Sequence, residues 1–351
     1  MKNILSLSVF TLFTILLAFG SILEATAQKK NLGIATYSVK GMESDIEGSL
    51  KALADAGYVV MEISNYNANA GTVAGFSPAE YATLAEKYGL DIISSHVRAK
   101  FDVKDVEGSL AAWGKAFDDH KAMGSKYVVF PMYTFARTVE GVKAECDLMN
   151  KIGEEANKRG LKFGYHNHNM EFATIAGTDF IYEDFLIANT DPDKVFFQLD
   201  VYWITVGGQD PVAYLQKYPT RFKVLHIKDE YVVGASGKIN YEAIFNQFYK
   251  NGNEDWFVEL EAKMTPEQIQ QNVARMEQRK VEQGQPDQPA APQAAAPAPG
   301  QAPAASQQPA AAARPTVTPE QRALQTAETL KVSLQGIKES ADYLINSSFV
   351  K

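Results

Sequence analysis

Leu161-Lys162-Phe163-Gly164-Tyr165-His166-Asn167-His168-Asn169-Met170-Glu171-Phe172 is a short β-type run, residues 161 to 165, that ends in two histidines with a carboxylate just beyond. Alternate side chains on a strand share a face, so His166 and His168 point the same way. Neutral imidazole is a common ligand of zinc, manganese and iron, and two on one face can converge on one ion. The plainer alternative is a pair of hydrogen-bonded histidines in a polar loop. The surrounding chain decides between them.

Working outward, β-type and helical patterns alternate with short connections on both sides of this stretch. Upstream, strands are expected over 32–38, 58–63, 91–97 and 127–132. Helices follow them over 44–56, from the Ser77-Pro78-Ala79-Glu80 cap, over 106–123 and over 139–159, where Gly160 stops the last. Downstream, helix 182–188 leads to strand 195–199, helix 211–217 to strand 222–227, and helix 241–250 to strand 256–260. Such alternation implies parallel pairing with right-handed crossovers, and eight units imply the α/β class with a closed (β/α)8 TIM barrel. No glycine-rich dinucleotide fingerprint follows the first strand, which weighs against an open doubly wound sheet.

Residues 1–27 read as a signal peptide: Lys2, an apolar run from Ile4 to Leu17, then the small-x-small pattern Ala25-Thr26-Ala27. Export to the periplasm is expected, with no stable membrane insertion after cleavage, because the run is too short to span comfortably. The barrel with its metal site is expected over 28–263, followed by a polar helix over 264–283. Residues 284–317 form a Pro/Ala/Gln-rich linker lacking the large apolar side chains that would offset ordering entropy, and they are expected to be disordered. Thr318-Pro319-Glu320 then caps a C-terminal helix within 318–351, with Leu330, Val332, Leu334, Ile337, Ala341 and Leu344 as its apolar stripe. This helix is expected to complete the barrel as its eighth; a free interaction helix is the competing reading. The net charge of -8 leaves no footprint for nucleic acid. Cys146 is the only cysteine, so there is no disulfide framework, and its expected role is packing.

Functional groups of such a barrel sit at the C-terminal ends of its strands. Four of the five histidines fall there: His96, His166, His168 and His226. His120 lies in a helix and is expected at the solvent. Glu62, Asp200, Asp229, Glu259 and Glu261 occupy matching strand ends. His166, Asp200, His226 and Glu259 come from consecutive strands and would meet around the axis. Two imidazoles and two carboxylates suit one divalent ion, Mn2+, Zn2+, Co2+ or Fe2+, better than an all-oxygen cation site would.

Gly-Tyr-His-Asn-His (164–168), Leu-Asp-Val-Tyr-Trp (199–203), Leu-His-Ile-Lys-Asp (225–229) and Phe-Val-Glu (257–259) resemble the xylose isomerase-like TIM barrels, the sugar phosphate isomerase/epimerase superfamily, in its inosose dehydratase-like branch. The resemblance implies metal ligands from strands five to eight, which fall on His166, Asp200, His226 and Glu259. It departs at strand five, where His166 stands in place of the usual glutamate. Enzymes of this kind move a proton between two carboxylates through a metal-held enediolate. Glu259 is therefore the expected base, and His166, His168 or Glu171 the second proton carrier, unless the reaction needs none. Lys228 would stabilise developing negative charge, or else pair with Asp229. Tyr37 and Trp203 would offer faces to a sugar ring, with Glu62, His96 and Glu171 as further substrate contacts.

The activity this implies is a metal-dependent isomerase or epimerase acting on an unphosphorylated sugar or keto-sugar. The alternative is a lyase or dehydratase on the same scaffold, eliminating from a keto-inositol or a 3-keto-glycoside. A catalytically silent sugar-binding module is the third reading.

Overall fold

A computed structural model describes residues 30–261 and 318–351. Eight barrel strands follow in order: β1 (Leu32–Ala35), β2 (Tyr58–Ile63), β3 (Asp91–Ser95), β4 (Tyr127–Pro131), β5 (Lys162–His166), β6 (Val195–Asp200), β7 (Phe222–Lys228) and β8 (Asp255–Glu259). They pair in parallel, with β1 between β2 and β8, and pairing runs round from β8 to β4. The bridge of His96 with Val129 closes the ring between β3 and β4, supported by Lys126 N–H donating to Ile93 O at 2.9 Å. The architecture is a (β/α)8-like TIM barrel.

Strands buried on both faces read as near-continuous apolar runs, and these do. Val60, Val129, Phe196, Val224 and Phe257 meet inside the ring as an apolar floor. Leu199, Ile227, Val258 and Phe163 belong to the larger core shared with the helices. Side chains alternate, so β6 turns Phe196, Gln198 and Asp200 to one face, and β7 does the same with Val224, His226 and Lys228. Each inner face thus passes from apolar to ionisable toward the C-terminal end of its strand. The floor keeps water out from below, and the polar layer opens upward.

The helices are α1 (Ile46–Asp55), α2 (Pro78–Glu86), α3 (Val106–Ala122), α4 (Val139–Lys158), α5 (Tyr182–Asn189), α6 (Val201–Val206), α7 (Pro211–Lys217), α8 (Tyr241–Lys250) and α9 (Pro319–Asn346). Asp45, Ser77, Asp105 and Thr138 cap α1 to α4 by accepting from the third helical N–H. Ser77 with Glu80, and Thr318 with Gln321, form reciprocal capping boxes.

α9 lies between α1 and α8, where an eighth barrel helix belongs. Tyr58 Oη donates to Ile337 O at 3.0 Å, and the Phe349 and Phe245 rings lie 5.7 Å apart. Lys30 Nζ donates to Leu344 O at 3.1 Å, placing a cation at the helix C-terminus. Leu330, Ile337, Ala341 and Leu344 are buried as the stripe requires. Val332 is exposed instead, because two residues from Leu330 is more than half a turn away.

Other differences from expectation have local causes. A short antiparallel hairpin, Tyr66–Asn67 with Thr72–Val73, follows β2. His120 is fully buried, not exposed: it packs edge-on to Tyr66 of that hairpin at 4.6 Å, and its Nδ1 bonds Ala116 O at 2.6 Å. Cys146 is buried in α4. The expected signal peptide, the polar helix 264–283 and the linker 284–317 lie outside the described residues. No described helix is long and apolar enough to cross a membrane.

Candidate metal centre

Asp200 ends β6 and caps α6 at once. Its Oδ1 accepts from the N–H groups of Tyr202 and Trp203, both at 2.9 Å. Its Oδ2 is left buried without a hydrogen-bond partner among the described residues. On β7, His226 Nε2 lies 2.5 Å from Glu62 Oε1. That contact assigns the ring proton to Nε2 and frees the Nδ1 lone pair. Nδ1 faces Glu259 Oε2 at 2.8 Å, and it too is buried without a hydrogen bond. Ligand atoms of Asp200, His226 and Glu259 all fall within 4.8 Å of one another. Orphaned buried polar atoms are costly, and a divalent ion between these three would satisfy them together.

His166 is drawn into a neighbouring group. Ligand atoms of His96, His166 and His226 also lie within 4.8 Å of one another. The expected quartet does not fall into one group: its members divide between two triads that share His226. His166 Nε2 is 3.9 Å from Asp200 Oδ2, while its Nδ1 is 3.0 Å from Gln198 Oε1. The first triad offers one imidazole and two carboxylates and the second three imidazoles, both donor sets that a divalent ion takes.

The site is electrostatically dense. Burial alone would raise the Glu62 carboxyl, but the His96 and His226 imidazoles outweigh it and hold it down to about 2. Burial opposes protonation of His226, yet Glu62 and Glu259 push its pKa up to about 10. Desolvation lifts Asp200 to about 7 against the pull of Lys228. Glu259, buried but facing Lys228 and His226, sits well below the usual carboxylate range. Burial keeps His166 well below its ordinary pKa and His168 at about 4, so both stay neutral. A bound cation and the second His226 proton compete for one lone pair, so metal binding releases that proton.

Above the triad, Lys228 is fully buried and donates to Glu259 Oε1 and Glu261 Oε1, both at 2.5 Å. The alternative pairing with Asp229 is not made. Asp229 instead accepts from the backbone of Glu230 and Gly234, folding the loop after β7. Trp203 is half-buried, with Lys228 Nζ 5.2 Å from its ring. Tyr37 is exposed, with its Oη 3.4 Å from Glu261 Oε2. Both rings stand at the mouth. β5 stops at His166, so His168 is on the following turn, yet the two imidazoles meet edge-on at 4.9 Å. His168 Nδ1 is buried and unpartnered among the described residues.

Glu62 and Glu171 are placed differently from the expected substrate contacts. Glu62 has no exposed surface and lies under the triad, accepting from Ser94 Oγ at 2.7 Å and Gln198 Nε2 at 2.8 Å. Glu171 accepts from Tyr165 Oη and His168 N–H, both at 2.7 Å, which commits its two oxygens. His96 is nearly covered, bonded to Gln198 Oε1 at 2.7 Å and stacked on His226 at 5.0 Å. The sequence reading missed Gln198, which bridges His96, His166 and Glu62. Its place two residues before Asp200, on the same strand face, was the available signal. It also missed Asn167, whose Oδ1 accepts from Asp200 N–H at 3.1 Å.

The xylose isomerase-like TIM barrel profile matches residues 50–279. A solved sugar phosphate isomerase/epimerase from Parabacteroides distasonis is 30% identical, covering 92% of this chain and 100% of that one with a TM-score of 0.69. An inosose dehydratase of Clostridium beijerinckii is 29% identical over 147 residues, 35% of this chain and 48% of that protein, so the chain spans about half that relative's length. An inosose dehydratase of Lacticaseibacillus casei is 24% identical over 268 residues, 64% of this chain and 85% of that protein.

Proposed function

This chain belongs to the xylose isomerase-like TIM barrel family, and on that premise we propose that it is a lyase of the dehydratase type, acting on a keto-inositol or keto-sugar. It is a metal-binding TIM barrel enzyme of the sugar isomerase/epimerase or dehydratase kind. The finer reading reverses the order drawn from the sequence, which put isomerase or epimerase first.

One observation carries that reversal. An epimerase of this kind passes a proton between carboxylates on two sides of the sugar, and here the strand-five side has no free carboxylate. His166 stands where a strand-five glutamate would be expected, and Glu171 has both oxygens engaged by Tyr165 and His168. Removing one proton without returning it is what an elimination needs. Inosose dehydratases among the relatives support the same choice.

A divalent ion bound by Asp200, His226 and Glu259 would polarise the substrate carbonyl and its neighbouring hydroxyl. The remaining steps belong to the protein. His168 offers a buried, unpaired Nδ1 next to His166 and is the base for the proton on the carbon beside the carbonyl. Glu259 is less suited to that role than the sequence suggested, since Lys228 holds one oxygen and the other faces His226. The electron pair of the broken C–H bond becomes a C=C bond as the β C–O bond breaks. The departing oxygen keeps its bonding pair, takes up the proton that His168 removed and leaves as water or an alcohol, which returns His168 to its neutral form. Lys228 stays cationic beside the developing oxyanion. Trp203 and Tyr37 flank the ring at the mouth.

The substrate is proposed to be unphosphorylated, in keeping with the export expected from residues 1–27; cell fractionation tests the periplasmic location. The chemistry is tested by incubating metal-loaded protein with scyllo-inosose and with ketohexoses in D2O. Loss of water from the inosose, seen by mass and by new vinylic proton signals, supports the lyase. Deuterated epimers or isomers without loss of mass to elimination would instead restore the isomerase or epimerase.

A further inference from the structure

Gln198 stands on the inward face of β6, between Phe196 of the apolar floor and Asp200 of the site, and it is fully buried. Nothing in the chemistry above uses it. Unlike its ionisable neighbours, an amide offers a donor and an acceptor at fixed atoms. Nε2 donates to Glu62 Oε2 at 2.8 Å, while Oε1 lies 2.7 Å from His96 Nε2 and 3.0 Å from His166 Nδ1. The reverse orientation would press the amide oxygen against a carboxylate oxygen, two acceptors with no proton between them.

An amide oxygen can only accept, so both ring nitrogens that face it carry protons. His96 is then protonated on Nε2, which Glu62 Oε1 at 3.0 Å also favours. His166 is protonated on Nδ1. In a neutral imidazole the other nitrogen is bare, so His166 keeps its lone pair on Nε2. That atom lies 3.9 Å from Asp200 Oδ2, which is buried and unpartnered among the described residues. The separation is too long for a hydrogen bond.

We propose that Gln198 is a positioning residue: it holds His166 as the Nδ1–H tautomer, with a bare Nε2 on the Asp200 side of the ring. There His166 can accept an ion or a hydroxyl proton and has no proton to give. Glu62 anchors the arrangement, because the carboxylate that takes the His226 Nε2 proton also fixes which end of the amide faces the imidazoles. One buried acid and one amide thereby set the proton positions of His96, His166 and His226. Methionine at 198 would leave the His166 and His96 N–H groups short of an acceptor, and glutamate would set a second carboxylate against Glu62. The role belongs to the metal centre and is the same for an elimination or an isomerisation, so it is read without substrate.

The test uses the full chain carrying 15N-labelled histidine, before and after loading with Zn2+, which is diamagnetic. Long-range 1H–15N correlation spectra separate bare from protonated ring nitrogens, and His96→Asn and His166→Asn identify the two rings. In the wild type each ring should show a single tautomer, Nδ1–H for His166 and Nε2–H for His96. Gln198→Met is close in size but cannot take both protons. In the metal-free variant His166 should populate the Nε2–H form, and chelator competition should show Zn2+ affinity lower by about 10–100-fold, the usual worth of a group that orients a metal-binding histidine. A wild-type His166 protonated on Nε2, or on both nitrogens, would overturn the proposal. So would a Gln198→Met protein that keeps the single Nδ1–H form, or one that binds Zn2+ as tightly as the wild type. The wild-type spectrum decides even if the variant does not fold.

Discussion

His226 Nε2 and Glu62 Oε1 lie 2.5 Å apart across the barrel interior, from β7 to β2. The contact decides which imidazole nitrogen carries the proton and turns the other toward Asp200 and Glu259. Groups that orient a metal-binding histidine are worth roughly 10–100-fold in metal affinity. Glu62→Gln keeps the shape but weakens this acceptor and adds an amide donor. Competition with a fluorescent chelator should show Zn2+ affinity lower by about that factor. Unchanged affinity would mean that Glu62 does not set the tautomer.

His168 and Glu259 separate proton transfer from metal binding. His168→Asn should retain full metal occupancy and lose about 10²–10⁴ in turnover, the usual worth of a general base. Glu259→Gln should lose occupancy first, because the carboxylate is one of three groups converging on the ion. Metal content by elemental analysis, measured beside turnover on the same samples, checks both. An His168→Asn protein with wild-type turnover would return the base to Glu259.

The buried His120 makes stability depend on pH. Burial depresses its folded pKa from 6.5 to about 4, so the unfolded chain binds the proton first. Its contribution is complete above pH 6.5 and shrinks as pH falls toward 4, with about 2 kcal/mol lost by pH 5. Urea unfolding at pH 7 and pH 5 should show a loss in the wild type that exceeds the loss in His120→Gln by about that amount. Equal pH slopes in the two proteins would assign the loss to other groups.

Gly336 lies at a close approach of α9 to the barrel. A Cβ there would stand 2.6 Å from Tyr231 Oη and 2.9 Å from Leu260 Cδ2. Alanine is normally the better helix former by about 1 kcal/mol. Overpacking costs about 1–3 kcal/mol and should prevail, so Gly336→Ala should lower unfolding free energy. A gain in stability would show that α9 is not pressed against the β7 and β8 ends.

Much of this architecture was legible because parallel strands buried on both faces must be apolar runs and the helices carry their own caps. The expected strand 58–63 and helices 211–217 and 241–250 coincide with the observed elements. The site was legible as chemistry at strand ends, less so as geometry. Strand tilt and stagger decide which inward side chains share a layer, and sequence spacing does not contain them. So His166 could be placed at the rim, but not in the triad with His96. Asp200 was read only as a group after strand six, although its position before Val201-Tyr202-Trp203 is also a helix cap, and capping is what isolates Oδ2. His120 was misjudged because the hairpin that covers it was not foreseen.

The most direct test of the account is where the ion sits. Crystals of the Mn2+-loaded protein, with anomalous diffraction at the manganese edge, should place one ion within about 2.0–2.6 Å of Asp200 Oδ2, His226 Nδ1 and a Glu259 oxygen. His226 Nε2 should stay on Glu62. An ion held by His96, His166 and His226 through Nε2, with Asp200 and Glu259 left bare, would contradict it.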